Sequence, residues 1–372
     1  MKIAVLLSGG VDSSVALRLL QAEGHELHAF YLKVWLEDEL AHLGHCPWEE
    51  DLRYARAVCE QAGVPLEIVP LQRQYHQRVV EHAVAELRAG RTPSPDIYCN
   101  RRIKFGAFFD HLAGRDFDKI ASGHYARITD GGQEVADGGL ELRKGMDPVK
   151  DQTYFLFRLD QEQLARCWFP IGGYPKSEVR RLALELGLAN RDRKDSQGIC
   201  FLGKIAYGDF IRAYLGEKPG EIRDVGSGRR LGEHRGYWFH TIGQRRGLGL
   251  GGGPWYVVDK DLEANVVWVA HGHVLPDHGG DRFRLGDVHW ILRPPAENRL
   301  QVKLRHSPQT FPCELTEPAS AEPEVRLDAT QPGIASGQSA VFYDDDGDRC
   351  LGGGTILSVR PHRQNSRRYS IQ

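Results

Sequence analysis

The chain has no surplus of either charge, no C-x-x-C spacing and no apolar run of bilayer length. Its 48 lysines and arginines stand against 50 aspartates and glutamates, a formal net charge of −2. A nucleic-acid partner would have to be held by local basic patches, because there is no global positive field to attract it. The seven cysteines, at 46, 59, 99, 167, 200, 313 and 350, are odd in number and scattered. That pattern argues against a disulfide framework and against a two-pair zinc site, and it points to a reducing, cytoplasmic setting. No apolar stretch approaches the ~20 residues of a membrane span. The five apolar residues before Ser8, preceded by one lysine, are too few for a signal peptide, so no membrane association is expected. Internal repeats and long low-complexity tracts are also missing. With 372 residues, 41% hydrophobic and 26% charged, the composition is that of two or three ordinary globular domains.

What is present begins at the N-terminus. Ile3-Ala4-Val5-Leu6-Leu7 reads as a buried parallel strand, and Val11, Val15 and Leu19 mark one face of the helix that follows. Between them lies Ser8-Gly9-Gly10-Val11-Asp12-Ser13-Ser14. The glycines let main-chain N–H groups approach an anion, and the serines add donors at a helix N-terminus whose dipole favours negative charge. Asp12 is out of place in an anion site unless a divalent cation, Mg²⁺, bridges it to phosphates. No lysine follows the glycines, as it would in a GxxxxGK[ST] loop serving γ-phosphoryl transfer. The segment instead resembles the loop of the N-type ATP pyrophosphatases, which hold the β,γ-pyrophosphate as leaving group and transfer AMP.

Strands around His28–Leu32, Leu66–Leu71 and Lys119–Ser122 alternate with helical patterns over Glu49–Ala62 and on to Gly90. This rhythm predicts an α/β fold, a doubly wound parallel sheet whose ligands bind beyond the carboxyl ends of the strands. From about Lys204 the texture changes to short aromatic and β-branched runs: Tyr237–Ile242, Trp255–Val258 and Val266–Ala270. A second β segment follows, with Leu300–Leu304, Ser339–Tyr343 and Thr355–Val359 as its clearest strands. The expected division is a catalytic domain over 1–203, a small central β domain over 204–277 and a C-terminal β-barrel over 278–372. The acidic run Asp344–Asp348 lacks calcium-loop spacing and reads as a solvated turn.

Two further segments carry chemistry. In Thr92–Phe105, Ser94 and a stiff proline pair lead to Asp96 and Cys99, three residues apart and so on one face of a helical turn. Arg101, Arg102 and Lys104 follow, and nearby cations favour a thiolate. Asp96 is placed to act as acid or base, or to hold a substrate N–H. Asp195–Phe201 sets Cys200 after a glycine, in a loop suited to a lid.

Together with Ala-Ser-Gly-His-Tyr (121–125), Lys-Asp-Gln-x-Tyr-Phe-Leu (150–156), His-Thr-Ile-Gly-Gln-Arg-Arg-Gly-Leu (240–248) and Gly-Gly-Gly-Thr-Ile (352–356), in this order, these segments resemble the bacterial tRNA-specific 2-thiouridylases from end to end. The resemblance implies an adenine nucleotide α-hydrolase-like catalytic domain. It also implies ATP-dependent adenylation of the position-2 oxygen of the wobble uridine in tRNAs for Lys, Glu and Gln, followed by displacement of AMP by sulfur. Cys200 would carry a persulfide from a cysteine desulfurase or sulfur-relay donor protein. Cys99 would attack the activated carbon or resolve the persulfide as a disulfide. ATP would meet Leu6, Leu7, Ser8, Gly9, Gly10, Val11, Asp12 and Ser13, the backbone at Leu32, and Gly123. The target base would sit at Ser94, Pro95 and Asp96, and tRNA would be held by His124, Lys150, Asp151, Gln152, Arg305, His306 and Gln338. Relatives usually have asparagine at the position of Ser94, often tyrosine at that of His306 and commonly methionine at that of Leu32. Two alternatives stand beside this reading: another ATP pyrophosphatase ligase, which would not need the two cysteines, and thiolation through an iron–sulfur cluster ligated by Asp96, Cys99 and Cys200, the less favoured route.

Overall fold

The computed structural model describes residues 1–34, 48–131, 139–194 and 206–361. The first part contains β1 (Lys2–Leu6), β2 (Glu26–Lys33), β3 (Leu66–Pro70), β4 (Lys119–Ser122), a hairpin of β5 (Ala126–Asp130) and β6 (Leu140–Lys144), and the short β7 (Cys167–Trp168). Five of these form a sheet in the order β3-β2-β1-β4-β7, and every pairing in it is parallel.

Successive residues of β1 face opposite sides of the sheet, and each face is covered. Ile3, Val5 and Leu7 pack with Leu17, Leu20, Leu52 and Ala55 from the helices Val11–Ala22 and Trp48–Ala62. Ala4 and Leu6 belong to a second core with Tyr75, Val79, Ile103 and Phe108. Burial on both faces is why β1 reads as an unbroken apolar run, and it gives the doubly wound architecture expected. The helical pattern running to Gly90 is less uniform than its spacing suggests: Gln72–Tyr75 and Glu81–Arg88 are α-helical, with a π-turn over His76–Val80 between them.

The central region begins with the helix Tyr207–Leu215 and forms a four-stranded sheet in the order β10-β11-β8-β9, from β8 (Gly220–Asp224), β9 (Arg230–His234), β10 (Trp255–Asp261) and β11 (Val266–His271). Tyr237–Ile242, read as a strand, is not one. Tyr237–Phe239 is a single 3₁₀ turn. The Tyr237 hydroxyl donates to Arg88 O (2.7 Å) and Trp238 Nε1 to Gly216 O (3.3 Å). Two consecutive buried aromatics serve as plugs between elements, and these contacts outweigh β propensity.

The C-terminal strands are β12 (Gly280–Trp290), β13 (Arg299–Lys303), β14 (Phe311–Thr316), β15 (Glu324–Gln331), β16 (Ser339–Tyr343) and β17 (Arg349–Pro361). They run antiparallel in the order β12-β15-β14-β13-β16-β17, and the β12–β17 pairing closes them into a barrel around Phe283, Leu300, Val302, Val325 and Phe342.

The barrel sheet does not end at β17. Arg349 and Cys350 pair with Arg143 and Leu142 of β6, so a hairpin from the first part extends a sheet of the last. The acidic segment 344–348 is the turn expected, with Asp345 and Asp346 exposed, but its last carboxylate is taken up by the hairpin: Asp348 accepts from Arg127 Nη2 (2.9 Å) and Arg143 Nη1 (3.0 Å). The hairpin was missed because its strands are short and polar on one side. Among the described residues no helix is long and apolar enough to cross a membrane.

Candidate active site

In the order β3-β2-β1-β4-β7 the chain winds outward in both directions from β1 and β4, so a crevice opens between their carboxyl ends. The glycine loop lies on one side of it and Gly123 on the other. A Cβ on Gly123 would stand 2.6 Å from Ser13 N and 2.8 Å from Asp12 C; only a glycine allows the two backbones to meet. Gly9 takes φ +77°, and a Cβ there would strike the Asp51 carbonyl.

The loop is braced from several directions. Ser13 Oγ and Ser14 Oγ both donate to Gly10 O (3.0 Å each), and Ser8 Oγ lies 3.3 Å from Ser13 Oγ. Buried Asn190 donates through Nδ2 to Gly9 O and to Ser14 Oγ, both at 2.8 Å. Arg193 donates to Gly9 O (3.1 Å) and pairs with Asp51. Preorganised N–H groups at a helix start make an anion cradle. Asp12 Oδ1 accepts from the Tyr125 hydroxyl (2.9 Å) and from Lys176 Nζ (2.5 Å). A lysine absent from the glycine loop itself thus stands against Asp12 from elsewhere in the chain. Lys176 opens the helix Lys176–Glu185, and its own N–H is held by Asp147 Oδ2 at 2.6 Å.

The second half of the site is carried by a long helical stretch. Pro95–Cys99 is α-helical with Pro95 at the first position, Asn100–Ala107 continues as a π-turn, and Phe108–His111 returns to α. Pro95 fits a position where no N–H is needed. Asp96 lies in the first turn, and Cys99, one turn on, is 4% exposed. Asn100 Nδ2 donates to Phe155 O (3.1 Å), while its Oδ1 is buried without a partner. Ser94 bonds the side chain of Tyr154, whose hydroxyl also donates to Ser339 O (3.0 Å). The Phe155 ring lies 4.4 Å from that of His306.

The segment after Lys150 therefore stitches the Cys99 helix to the barrel, beside Gln338 and Arg305. His124, next to Gly123, joins the two halves. It is buried, bonded to Ser122 Oγ through Nδ1 (2.8 Å), and packed near Phe105 and Phe169. Burial, with the Lys104 charge nearby, pushes its pKa well below the usual histidine value and keeps the ring neutral.

The remaining candidates differ in what they offer. Leu32 is the last but one residue of β2 and pairs with Val69 of β3. Gln152 uses Oε1 to accept from Tyr125 N (2.8 Å), a bracing role. The Asp151 carboxylate faces inward: Oδ2 pairs with buried Lys303 (2.6 Å), and Oδ1 accepts from Thr153 N and Oγ1. Cys200 and its segment lie outside the described residues. Burial drives the thiol pKa of Cys59 up to about 11 and of Cys313 up to about 12, and raises those of Cys167 and Cys350 further; all four are poor nucleophiles.

A family model described as the tRNA methyl transferase HUP domain matches residues 1–204, one described as the tRNA methyl transferase PRC-barrel domain matches 208–271, and one described as the aminomethyltransferase beta-barrel domain matches 280–356. "tRNA-specific 2-thiouridylase MnmA 1" of Bacteroides thetaiotaomicron is 43% identical over 361 residues, 96% of this chain and 99% of the relative. The chain belongs to the tRNA-specific 2-thiouridylase family. Idiomarina loihiensis has another such relative, "tRNA-specific 2-thiouridylase MnmA", 43% identical over 364 residues and 95% of each chain. A solved 4-thiouridine synthetase–RNA complex with bound ATP is similar at TM-score 0.32 and 17% identity, over 57% of this chain and 50% of that one, a likeness that carries no weight beside the relatives.

Lys176, Asn190 and Arg193 escaped sequence reasoning, and Tyr125 was seen only as the end of the Ala-Ser-Gly-His-Tyr motif, not as a partner of Asp12. Lys176 stands 164 residues from Asp12, and its only local signal is a helix start after Pro175.

Proposed function

We propose that the chain is an ATP-dependent tRNA-uridine 2-sulfurtransferase, and that its reaction runs in the crevice between the glycine loop and the Cys99 helix. The observation that carries this reading is the continuity of the two halves: Gly123 abuts the loop at Asp12 and Ser13, and the next residue, His124, packs on the helix bearing Cys99. ATP held by residues 6–13, Leu32 and Gly123 would present its α-phosphate to the uracil O2 of a wobble uridine seated at Ser94, Pro95 and Asp96. A bond forms from O2 to the α-phosphorus as the bond to the pyrophosphate oxygen breaks. Lys176 and the loop N–H groups neutralise charge on the departing pyrophosphate. Asp12 is the oxygen donor that would hold Mg²⁺ against the phosphates, where the metal would supply further neutralisation.

In the second stage sulfur bonds to C2 and AMP leaves with the former O2. Cys200 would bring the sulfur as a persulfide received from a cysteine desulfurase or relay protein. Cys99 would take up the inner sulfur of Cys200 as a disulfide or attack C2 itself. Lys150, Gln152, His124, Arg305, His306 and Gln338 would bind tRNA. Asp151, turned toward Lys303, would act by holding its neighbours in position. In domain terms, 1–203 would carry both chemical stages, with 204–277 and 278–372 receiving the RNA.

The test is a pair of variants, Cys99→Ser and Cys200→Ser, assayed for 2-thiouridine in tRNA and for tRNA-dependent AMP and pyrophosphate formation. Each should abolish 2-thiouridine, the adenylated tRNA should still form in both, and donor-derived persulfide should persist only in Cys99→Ser. Cys59→Ala should retain thiolation. Normal 2-thiouridine in Cys200→Ser would refute the sulfur-carrier role, and pyrophosphate release independent of tRNA would refute the substrate.

A further inference from the structure

The motif His240–Leu248 takes no part in the reaction described above, yet it is held in place by its own side-chain and main-chain bonds. Gln244 locks it: Oε1 accepts from Thr241 N (3.0 Å) and Nε2 donates to Arg246 O (2.9 Å). Main-chain bonds from Gly243 N to Val257 O (2.8 Å) and from Val257 N to Gln244 O (3.0 Å) fasten it to β10. What this frame displays is Arg245 and Arg246, both exposed. Neither has an acidic partner within ion-pair distance among the described residues, whereas arginines such as Arg115, Arg143, Arg181 and Arg223 are paired. Arg245 also lines an open hollow of about 410 Å³ with Leu250 and Trp255.

The loop is tied to the active-site rim at two points. Thr92 Oγ1, two residues before Ser94, lies 3.4 Å from Thr241 Oγ1. Gly243 and Gly333 meet backbone to backbone: a Cβ on Gly333 would stand 3.3 Å from Gly243 Cα and 3.9 Å from Arg305 Nη1. Arg305, likewise without an acidic partner among the described residues, therefore lies beside Gly333, the residue that abuts the loop carrying Arg245 and Arg246. We infer that Arg245, Arg246 and Arg305 form one phosphate-binding surface for the RNA strand that carries the target base, with the central region as an RNA-contacting element in its own right. Three guanidiniums on a preorganised frame suit a polyanion, since little side-chain and loop entropy is lost on binding. In a chain of net charge −2, local clusters of this kind must supply the attraction. The inference rests on the reading of tRNA as substrate.

The test compares full-length tRNA binding to the wild-type chain, Arg245→Ala/Arg246→Ala and Arg245→Lys/Arg246→Lys across a salt series. Loss of two phosphate contacts should make the log–log salt slope shallower by about 2 and weaken binding roughly 10- to 100-fold at 0.15 M salt. The lysine pair should keep most of the slope, which a merely structural role for the arginines would not produce. Melting temperatures check that all three proteins fold alike, as substitutions at exposed positions should. An alanine pair with the wild-type slope overturns the inference. So does an alanine pair that binds tRNA normally but no longer accepts sulfur from its donor protein, which would assign the surface to that protein. Failure of the wild-type chain itself to bind tRNA would instead sink the substrate reading.

Discussion

Lys303→Met should reveal how firmly the barrel positions the catalytic segment. Lys303 Nζ lies 2.6 Å from Asp151 Oδ2, with the two side chains only 2% and 8% exposed. Removing one partner of such a pair costs about 3–5 kcal/mol, because the other charge is left buried. Asp151 would keep its bonds from Thr153 N (2.9 Å) and Oγ1 (2.6 Å), which satisfy Oδ1 but not Oδ2, so the expected cost is near the lower end, about 3 kcal/mol. Asp151→Asn should cost a similar amount, and the double variant well under the sum, a coupling of about 2 kcal/mol or more. Guanidinium unfolding followed by tryptophan fluorescence measures all three. The same variant should raise the KM for tRNA, because Tyr154 and Phe155, just beyond Asp151, hold Ser94 and Asn100. A Lys303→Met penalty below about 1 kcal/mol, or strictly additive penalties, would show that the pair does not fasten the barrel to the catalytic segment.

Lys176→Met should slow tRNA-dependent AMP formation by roughly 10²- to 10³-fold, as expected for one lost donor to developing charge, with partial recovery in Lys176→Arg; a rate near wild type would remove Lys176 from the pyrophosphate site. Gly123→Ala should weaken ATP binding while sparing tRNA binding, since its Cβ would force apart the Ser13 and Gly123 backbones, an overpacking of about 1–3 kcal/mol; calorimetric titration with ATP decides it. Stability should fall on acidification. Burial, with His234 and Lys260 adding to it, lowers the His240 pKa from 6.5 to about 4, so the unfolded chain gains a proton that the folded chain refuses. The contribution is complete above pH 6.5 and drains as pH falls toward 4, the loss reaching about 2 kcal/mol by pH 5. Unfolding midpoints at pH 7 and pH 5 should therefore differ less in His240→Gln than in the wild type, and an equal difference in both would contradict the assignment.

Much of the catalytic region was legible because its signals are local. An apolar strand buried on both faces, a glycine pair and an amphipathic helix lie within the first twenty-two residues. Asp96 and Cys99 are three apart, so a single helical turn sufficed to put them on one face, and Pro95 fixed where that helix begins. Three of the six barrel strands were legible, at 300–304, 339–343 and 355–359, but Tyr237–Ile242 was not, because its aromatics are consumed by Arg88 and Gly216 rather than by a neighbouring strand.

The sequence by itself determined the parallel sheet, the glycine loop between strand and helix, the Asp96–Cys99 turn and the family to which the chain belongs, since each depends on residues near one another or on an ordered set of motifs. Only the tertiary structure decided that Lys176 pairs with Asp12, that the β5–β6 hairpin extends the barrel sheet, that Asp151 spends its charge on Lys303, and that Arg305 and the Arg245–Arg246 loop meet at Gly333. These are contacts between residues tens to hundreds of positions apart. Such contacts arise from how buried faces and backbone approaches close the chain on itself, and neither period nor spacing along the sequence encodes that closure.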